Sequence, residues 1–311
     1  LLLGTEIQQW ETMGSEAETG RSAGGQLIRL DVSLRSGGLW IGPAWAVMCG
    51  IVASRRFTWD ARGLLLAGLA LFLVDGVWAT LWAAVVETDW AGLAAGWDSS
   101  PPPLRARRRL PYVQAGAPGD RAAGWLAHLA RWWQNRVQPV VGTAVSSIVV
   151  CLLLGAALSA LLGWQMLALS AAALALVQLG LVANHASGRP APLLQAGLEF
   201  GLACLAGQAA FGPVTLPLAL MALLFATAYY GGLQLVEQDV GLANWRWPQL
   251  IAALVLLVLR QPLPALVLFF ILFAQTLLEP GLKAGRGGAW FVRSSQAWLM
   301  AAMLVVAFAI G

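Results

Sequence analysis

The chain has 311 residues, of which 59% are hydrophobic and 11% charged, with a formal net charge of +4. Soluble domains run near half apolar and a quarter charged, so a cytosolic globule and a disordered chain are both excluded. Its apolar runs, such as residues 63–86, are long and do not alternate, which excludes a β-barrel and predicts an all-α polytopic membrane protein.

Residues 1–38 are polar and Gly/Ser-rich, with Glu6, Glu11, Glu16 and Glu18 set against Arg21, Arg29 and Arg35. They are expected to form an extramembrane N-terminal tail. The apolar start at residues 1–3 is far too short for the core of a secretory leader, so none is expected there. Residues 39–311 are expected to form one transmembrane domain of nine segments: 39–54, 63–86, 137–162, 164–182, 192–211, 213–232, 247–259, 261–278 and 296–310. Several are short for a bilayer core of roughly 30 Å, which Arg and Trp at their ends would relieve by snorkelling.

Cys49, Cys151 and Cys204 all lie inside apolar runs without C-x-x-C spacing, so they read as small core residues. With the N-terminal tail and the even-numbered loops on one side, fifteen of the 19 Lys and Arg residues gather there. Arg55, Arg56, Arg62 and Arg260 remain on the other side. The positive-inside rule then predicts a cytoplasmic N-terminus and a C-terminus outside. The arginines are spread over loops, so no nucleic-acid surface is expected.

The largest loop, residues 87–136, lies on the Arg-rich side. Pro101, Pro102 and Pro103 rule out a regular helix at that point. Residues 120–137 read as a helix that places Trp125, Leu129, Trp132 and Trp133 on one face, flanked by Arg121, Arg131 and Arg136. An aromatic, Arg-flanked helix suits the membrane interface, although the same pattern is also that of a simple extension of the third segment. Most of the 16 Trp residues lie at segment ends, as in an interfacial belt.

Two stretches repeat each other: Val85-Val86-Glu87-Thr88-Asp89-Trp90-Ala91-Gly92-Leu93-Ala94 and Leu235-Val236-Glu237-Gln238-Asp239-Val240-Gly241-Leu242-Ala243. One follows the second segment and the other the sixth, which suggests two similar four-helix halves around a cavity, plus a last helix. Glu87, Asp89, Glu237 and Asp239 at the mouth are candidates for Mg²⁺, which takes one or two carboxylates plus substrate phosphates. Arg107, Arg108 and Arg109 on the same side are candidates for a diphosphate. The alternative is that these acids only mark polar helix ends.

The run Trp40-Ile41-Gly42-Pro43-Ala44-Trp45-Ala46-Val47-Met48-Cys49-Gly50-Ile51-Val52-Ala53-Ser54 resembles the first helix of the chlorophyll and bacteriochlorophyll synthases. These belong to the UbiA superfamily of intramembrane prenyltransferases. Gly201 to Gly207, the stretch from Leu304 to Ala309, and Arg109-Leu110-Pro111 with Gly116 are weaker likenesses to the same enzymes. The resemblance implies a nine-helix prenyltransferase fold, Mg²⁺ held by acidic motifs, and a bacterial inner membrane, cytoplasmic or photosynthetic.

The acidic motifs depart from that pattern. Laid on N-D-x-x-D-x-x-x-D, the chain has Val86-Glu87, then Trp90 and Ala94 in place of the next two acids. The second motif becomes Val236-Glu237-Gln238-Asp239, with Gly241 and Leu242 where charge is expected. Losing carboxylates that hold metal beside a diphosphate removes leaving-group stabilisation, so catalysis should fall by orders of magnitude.

Asp75 and Glu199 lie inside apolar runs, where an ionisable group marks a pathway, a cavity or a partner contact unless it is a protonated structural acid. His128 and His185 are the only histidines, and either is able to ligate the Mg²⁺ of a chlorophyll-type pigment. The reading favoured is a non-catalytic relative of the synthases. It would bind a pigment, quinone or isoprenoid lipid, or serve as a structural subunit beside other membrane subunits. The alternative is an active Mg²⁺-dependent prenyltransferase that esterifies a chlorophyllide or similar acceptor with a polyprenyl or phytyl diphosphate. A transporter comes last, because the repeat is parallel rather than inverted.

Overall fold

The structure, a computed structural model, describes residues 42–86, 88, 90, 118–134, 138–187 and 191–311. Most of the described residues are helical, with no strand among them. The acidic tail and Arg107, Arg108, Arg109, Glu87, Asp89 and Arg136 lie outside them.

Helix α1 (Pro43–Ala53) begins with proline at its first position, where the fixed φ is already helical. Helix α2 is the span Ala61–Val86, capped by the Asp60 carboxylate, which accepts from the Gly63 amide. Helix α3 (Pro118–Trp132) precedes α4 (Gln138–Leu162) in the chain. Gly163, at φ 110°, is the sole residue between α4 and α5 (Trp164–Ser187), a backbone shape that glycine adopts without strain.

Helix α6 runs through three pieces, Pro192–Ala196, Gly197–Leu202 and Ala203–Ala209, the middle one wound with i→i+5 bonds. Helices α7 (Leu216–Gln238), α8 (Leu242–Val258) and α9 (Pro262–Thr276) follow. A short turn, Glu279–Gly281 then Leu282–Arg286, leads into α10 (Gly288–Ile310).

By length and composition, six helices are able to cross a membrane: Ala61–Val86, Ala144–Leu162, Trp164–His185, Leu216–Gln238, Pro262–Gly281 and Gly288–Ile310. Pro43–Ala53 and Leu242–Val258 are shorter apolar helices. Large apolar side chains project outward along the bundle, among them Leu153, Leu161, Val258, Leu263, Leu266 and Phe270. In water such a surface would drive association, whereas hydrocarbon solvates it.

Helix α1 lies closest to the last piece of α6 and also touches α2 and α10. On one flank, α2 packs on α4 and α4 on α5; on the other, α7 packs on α8 and α8 on α9. The same sequential pairing therefore recurs around each copy of the V-E-x-D repeat. Between α1, α6, α7 and α10 the core closes on Cys49, Phe200, Cys204, Met221, Phe225 and Met303.

Two contacts sort the helix ends into sides. The Asn184 side chain of α5 donates from Nδ2 to the Val86 carbonyl of α2 at 2.6 Å, which joins the ends of those helices. Arg55 Nη2 donates to the Phe308 carbonyl of α10 at 3.1 Å, which joins the other ends.

Candidate functional site

The V-E-x-D repeat is where both flanks end a helix. Three donors converge on the last carbonyls of α2. Thr88 Oγ1 donates to Ala84 O at 2.7 Å, Trp90 Nε1 to Val85 O at 2.7 Å, and Asn184 Nδ2 to Val86 O at 2.6 Å. The last carbonyls of a helix have no intrahelical donor, so these side chains satisfy them.

In the second copy, Asp239 ends α7 with φ 55°, the left-handed conformation that Asp and Asn tolerate best after glycine. Its Oδ1 accepts from the Gly288 amide at 2.6 Å, at the start of α10. Gly288 itself lies so close to α7 that a Cβ there would overlap the Leu235 carbonyl. Asp239 thus closes one helix and caps another, while Glu237 is exposed beside it. Among the described residues, no group of three or more His, Cys, Asp and Glu is arranged to hold a metal ion.

The two acids inside the bundle share a backbone feature that was not legible from hydropathy. Asp75 lies in the i→i+5 segment Phe72–Trp78 of α2, and Glu199 in the matching segment Gly197–Leu202 of α6. Such bulges insert an extra residue into a helical turn and occur frequently at functional positions. In the first, Leu73, Val74, Gly76, Val77 and Trp78 are buried and Asp75 is only half-buried.

Glu199 is bound from two helices. Gln195 Nε2, one turn earlier on α6, donates to Oε1 at 3.0 Å, and the Tyr229 hydroxyl of α7 donates to Oε2 at 3.0 Å. The Tyr229 ring stacks on Phe200 at 4.4 Å between centroids, which holds the hydroxyl in place. The i, i+4 spacing of Gln195 and Glu199 is legible in the sequence, whereas Tyr229, 30 residues away, carries no local mark of its bond to Glu199.

His128 is half-buried on α3, and His185 is exposed in the last turn of α5. Trp125 on α3 is 60% exposed, in keeping with a helix that offers aromatic surface to the bilayer boundary. At the centre of the bundle, the cavity beside Cys49, Phe200 and Cys204 measures about 10 Å³. That is room for a single water, far below the several hundred Å³ of ligand pockets.

No protein-family model, no curated protein and no solved structure matches the chain.

Proposed function

We propose that this chain is a non-catalytic membrane subunit on the chlorophyll-synthase-like plan, serving a larger, photosynthetic-type assembly. The reading gives it nine crossings: the six long helices, the two shorter apolar ones and the composite α6. The Arg-rich side, with the N-terminus, is cytoplasmic, and the C-terminus lies outside.

The observation that carries the reading is the Asp239–Gly288 hydrogen bond. A carboxylate that serves two bridging metals beside a diphosphate has to offer its lone pairs to the metals. Asp239 commits one oxygen to a helix N-terminus, where the partial positive charge of the helix also favours it. The filled core between α1, α6, α7 and α10 supports the same conclusion, because a prenyl chain needs a continuous slot. A bound pigment, quinone or isoprenoid would then lie along the outer faces of the helices, with His128 or His185 as the candidate pigment ligand.

The test is a prenyl-transfer assay on membranes carrying the chain, with chlorophyllide, geranylgeranyl or phytyl diphosphate and Mg²⁺, beside an active synthase. The expected result is no product while the control turns over, with other membrane subunits recovered alongside the chain in mild detergent. Product above background that disappears with Glu87→Gln would overturn the reading and restore the enzyme.

A further inference from the structure

Helix α8 opens on the Arg-rich side, and its first turns carry a groove of about 420 Å³. Leu242, Ala243, Arg246, Trp247 and Leu250 line it from α8, and Leu272 closes it from α9. The α8 residues recur at i, i+1, i+4, i+5 and i+8, so they share one face of the helix. The lining is apolar except for one guanidinium. Trp247 is 61% exposed, the state of an aromatic ring that lies in the headgroup layer rather than in a protein core.

Arg246 forms an ion pair through Nη1 with Glu279, in the turn that follows α9. A guanidinium has five N–H donors in a flat fork, so one carboxylate on Nη1 leaves donors over for a second anion. The pair also fixes the side chain, so that the arginine is already ordered before a ligand arrives. Arg286, exposed over the face of Trp290 at 4.9 Å, adds positive charge on the same side.

We propose that this groove is a binding site for an anionic glycerophospholipid of the Arg-rich leaflet. Its phosphate engages Arg246, one acyl chain lies in the groove against Leu250 and Leu272, and Trp247 flanks the glycerol region. Charge complementarity selects the anionic headgroup, since basic pockets between membrane helices on the cytoplasmic side recognise such lipids. An apolar groove alone would accept any acyl chain. The site rests on the proposed function only for the side of the membrane it faces, and its test in detergent reads lipid retention whichever side that is.

The experiment is native mass spectrometry of the full chain in mild detergent, titrated with phosphatidylglycerol or with phosphatidylcholine of the same acyl chains. Phosphatidylglycerol should be retained better by up to about fivefold, the preference that one arginine near an anionic surface supplies at most when a carboxylate already pairs with it. Arg246→Gln should reduce it to the phosphatidylcholine level, and Leu250→Trp, which fills the groove and keeps the charge, should lower retention of both lipids. Glu279→Gln is the deciding variant, because it frees Arg246 and should hold or raise phosphatidylglycerol retention. Equal retention of the two lipids would overturn the proposal. So would equal losses in Arg246→Gln and Glu279→Gln, which would make the pair a purely structural tie.

Discussion

Gly50 of α1 and Gly207 of α6 face each other across a close helix crossing. A Cβ on Gly50 would overlap the Cys204 carbonyl, and one on Gly207 would overlap the Val47 carbonyl. Ala46 and Ala203 lie four residues before each glycine, so both helices present a small-x-x-x-small face. In hydrocarbon, where apolar burial drives little association, such backbone approach supplies the packing. Gly50→Leu should therefore destabilise by at least the ~1–3 kcal/mol typical of overpacking, because the opposing atoms are backbone and cannot rotate away. Gly68 meets nothing within 4 Å, and Gly68→Ala should leave stability at or above that of the wild type. Thermal unfolding in detergent compares the two, and equal losses would reject the crossing.

Asp239 separates a capping role from a metal role. Asp239→Ala removes the acceptor from Gly288 and also places alanine at φ 55°, so stability should fall by about 0.5–2 kcal/mol. Asp239→Asn keeps an oxygen acceptor and a side chain that tolerates the left-handed conformation, and should recover most of that loss. A metal ligand behaves differently, since neutralising the carboxylate would remove any Mg²⁺-dependent stabilisation. Unfolding midpoints of both variants with and without Mg²⁺ distinguish the two roles.

The class of this fold was legible because hydropathy is a one-dimensional signal, and helices in hydrocarbon must follow it. Pro43, Pro192 and Pro262 stand where helices begin, and Gly163 where two helices meet, each for a local backbone reason that a sequence carries. The Trp-rich helix expected over residues 120–137 is helical from Pro118 through Gln134, and residues 135–137 lie outside the described residues. What was not legible depends on partners far along the chain. Tyr229 is 30 residues from Glu199, and Gly288 is 49 from Asp239, so neither bond leaves a local trace. The acids of the repeat were readable as a pattern, but the pattern fits helix ends and metal ligands equally until the group facing each carboxylate is known.

Acid should weaken the start of α2 through Asp60. Its carboxylate accepts from the Thr58 hydroxyl at 2.6 Å and from the Gly63 amide at 2.8 Å. These bonds favour the charged form, Thr58 most, and lower the Asp60 pKa below the ordinary aspartate value. A folded pKa below the unfolded one means that stabilisation is fully present above the unfolded value and lost as pH falls through the folded one. Asn mimics the protonated acid. Wild type and Asp60→Asn should therefore differ in unfolding temperature near pH 7 and converge as pH falls below the unfolded aspartate pKa of about 3.9 and through the lower folded one. Because Asp60 is exposed, the gap should be small and should shrink further with salt. A gap that widens on acidification would reverse the sign and reject the assignment.

The contact between α8 and α9 rests on three fully buried side chains. Trp245 Nε1 donates to Gln275 Oε1 at 3.0 Å, and Gln275 Nε2 donates to Gln249 Oε1 at 3.0 Å. Gln249 Nε2 returns a bond to the Trp245 carbonyl at 2.8 Å, which closes the network on the helix backbone. Gln249, Gln275 and Trp245 are each 0% exposed, so water is not available to replace a lost partner. Gln275→Leu strands both the Trp245 indole N–H and the Gln249 amide oxygen, and a stranded buried group costs about 1–3 kcal/mol. Gln249→Leu strands fewer groups, because the Trp245–Gln275 bond survives and only Gln275 Nε2 loses its acceptor. When both are replaced, only the indole N–H loses its partner, so the double variant should lose less than the two single losses added together. Interhelical bonds in membranes average about 0.6 kcal/mol of coupling, which sets the scale of that difference. A double-mutant cycle read by reversible unfolding in mixed micelles measures it. Strict additivity would mean that the two amides do not act on each other and that the packing of Trp245 alone joins α8 to α9.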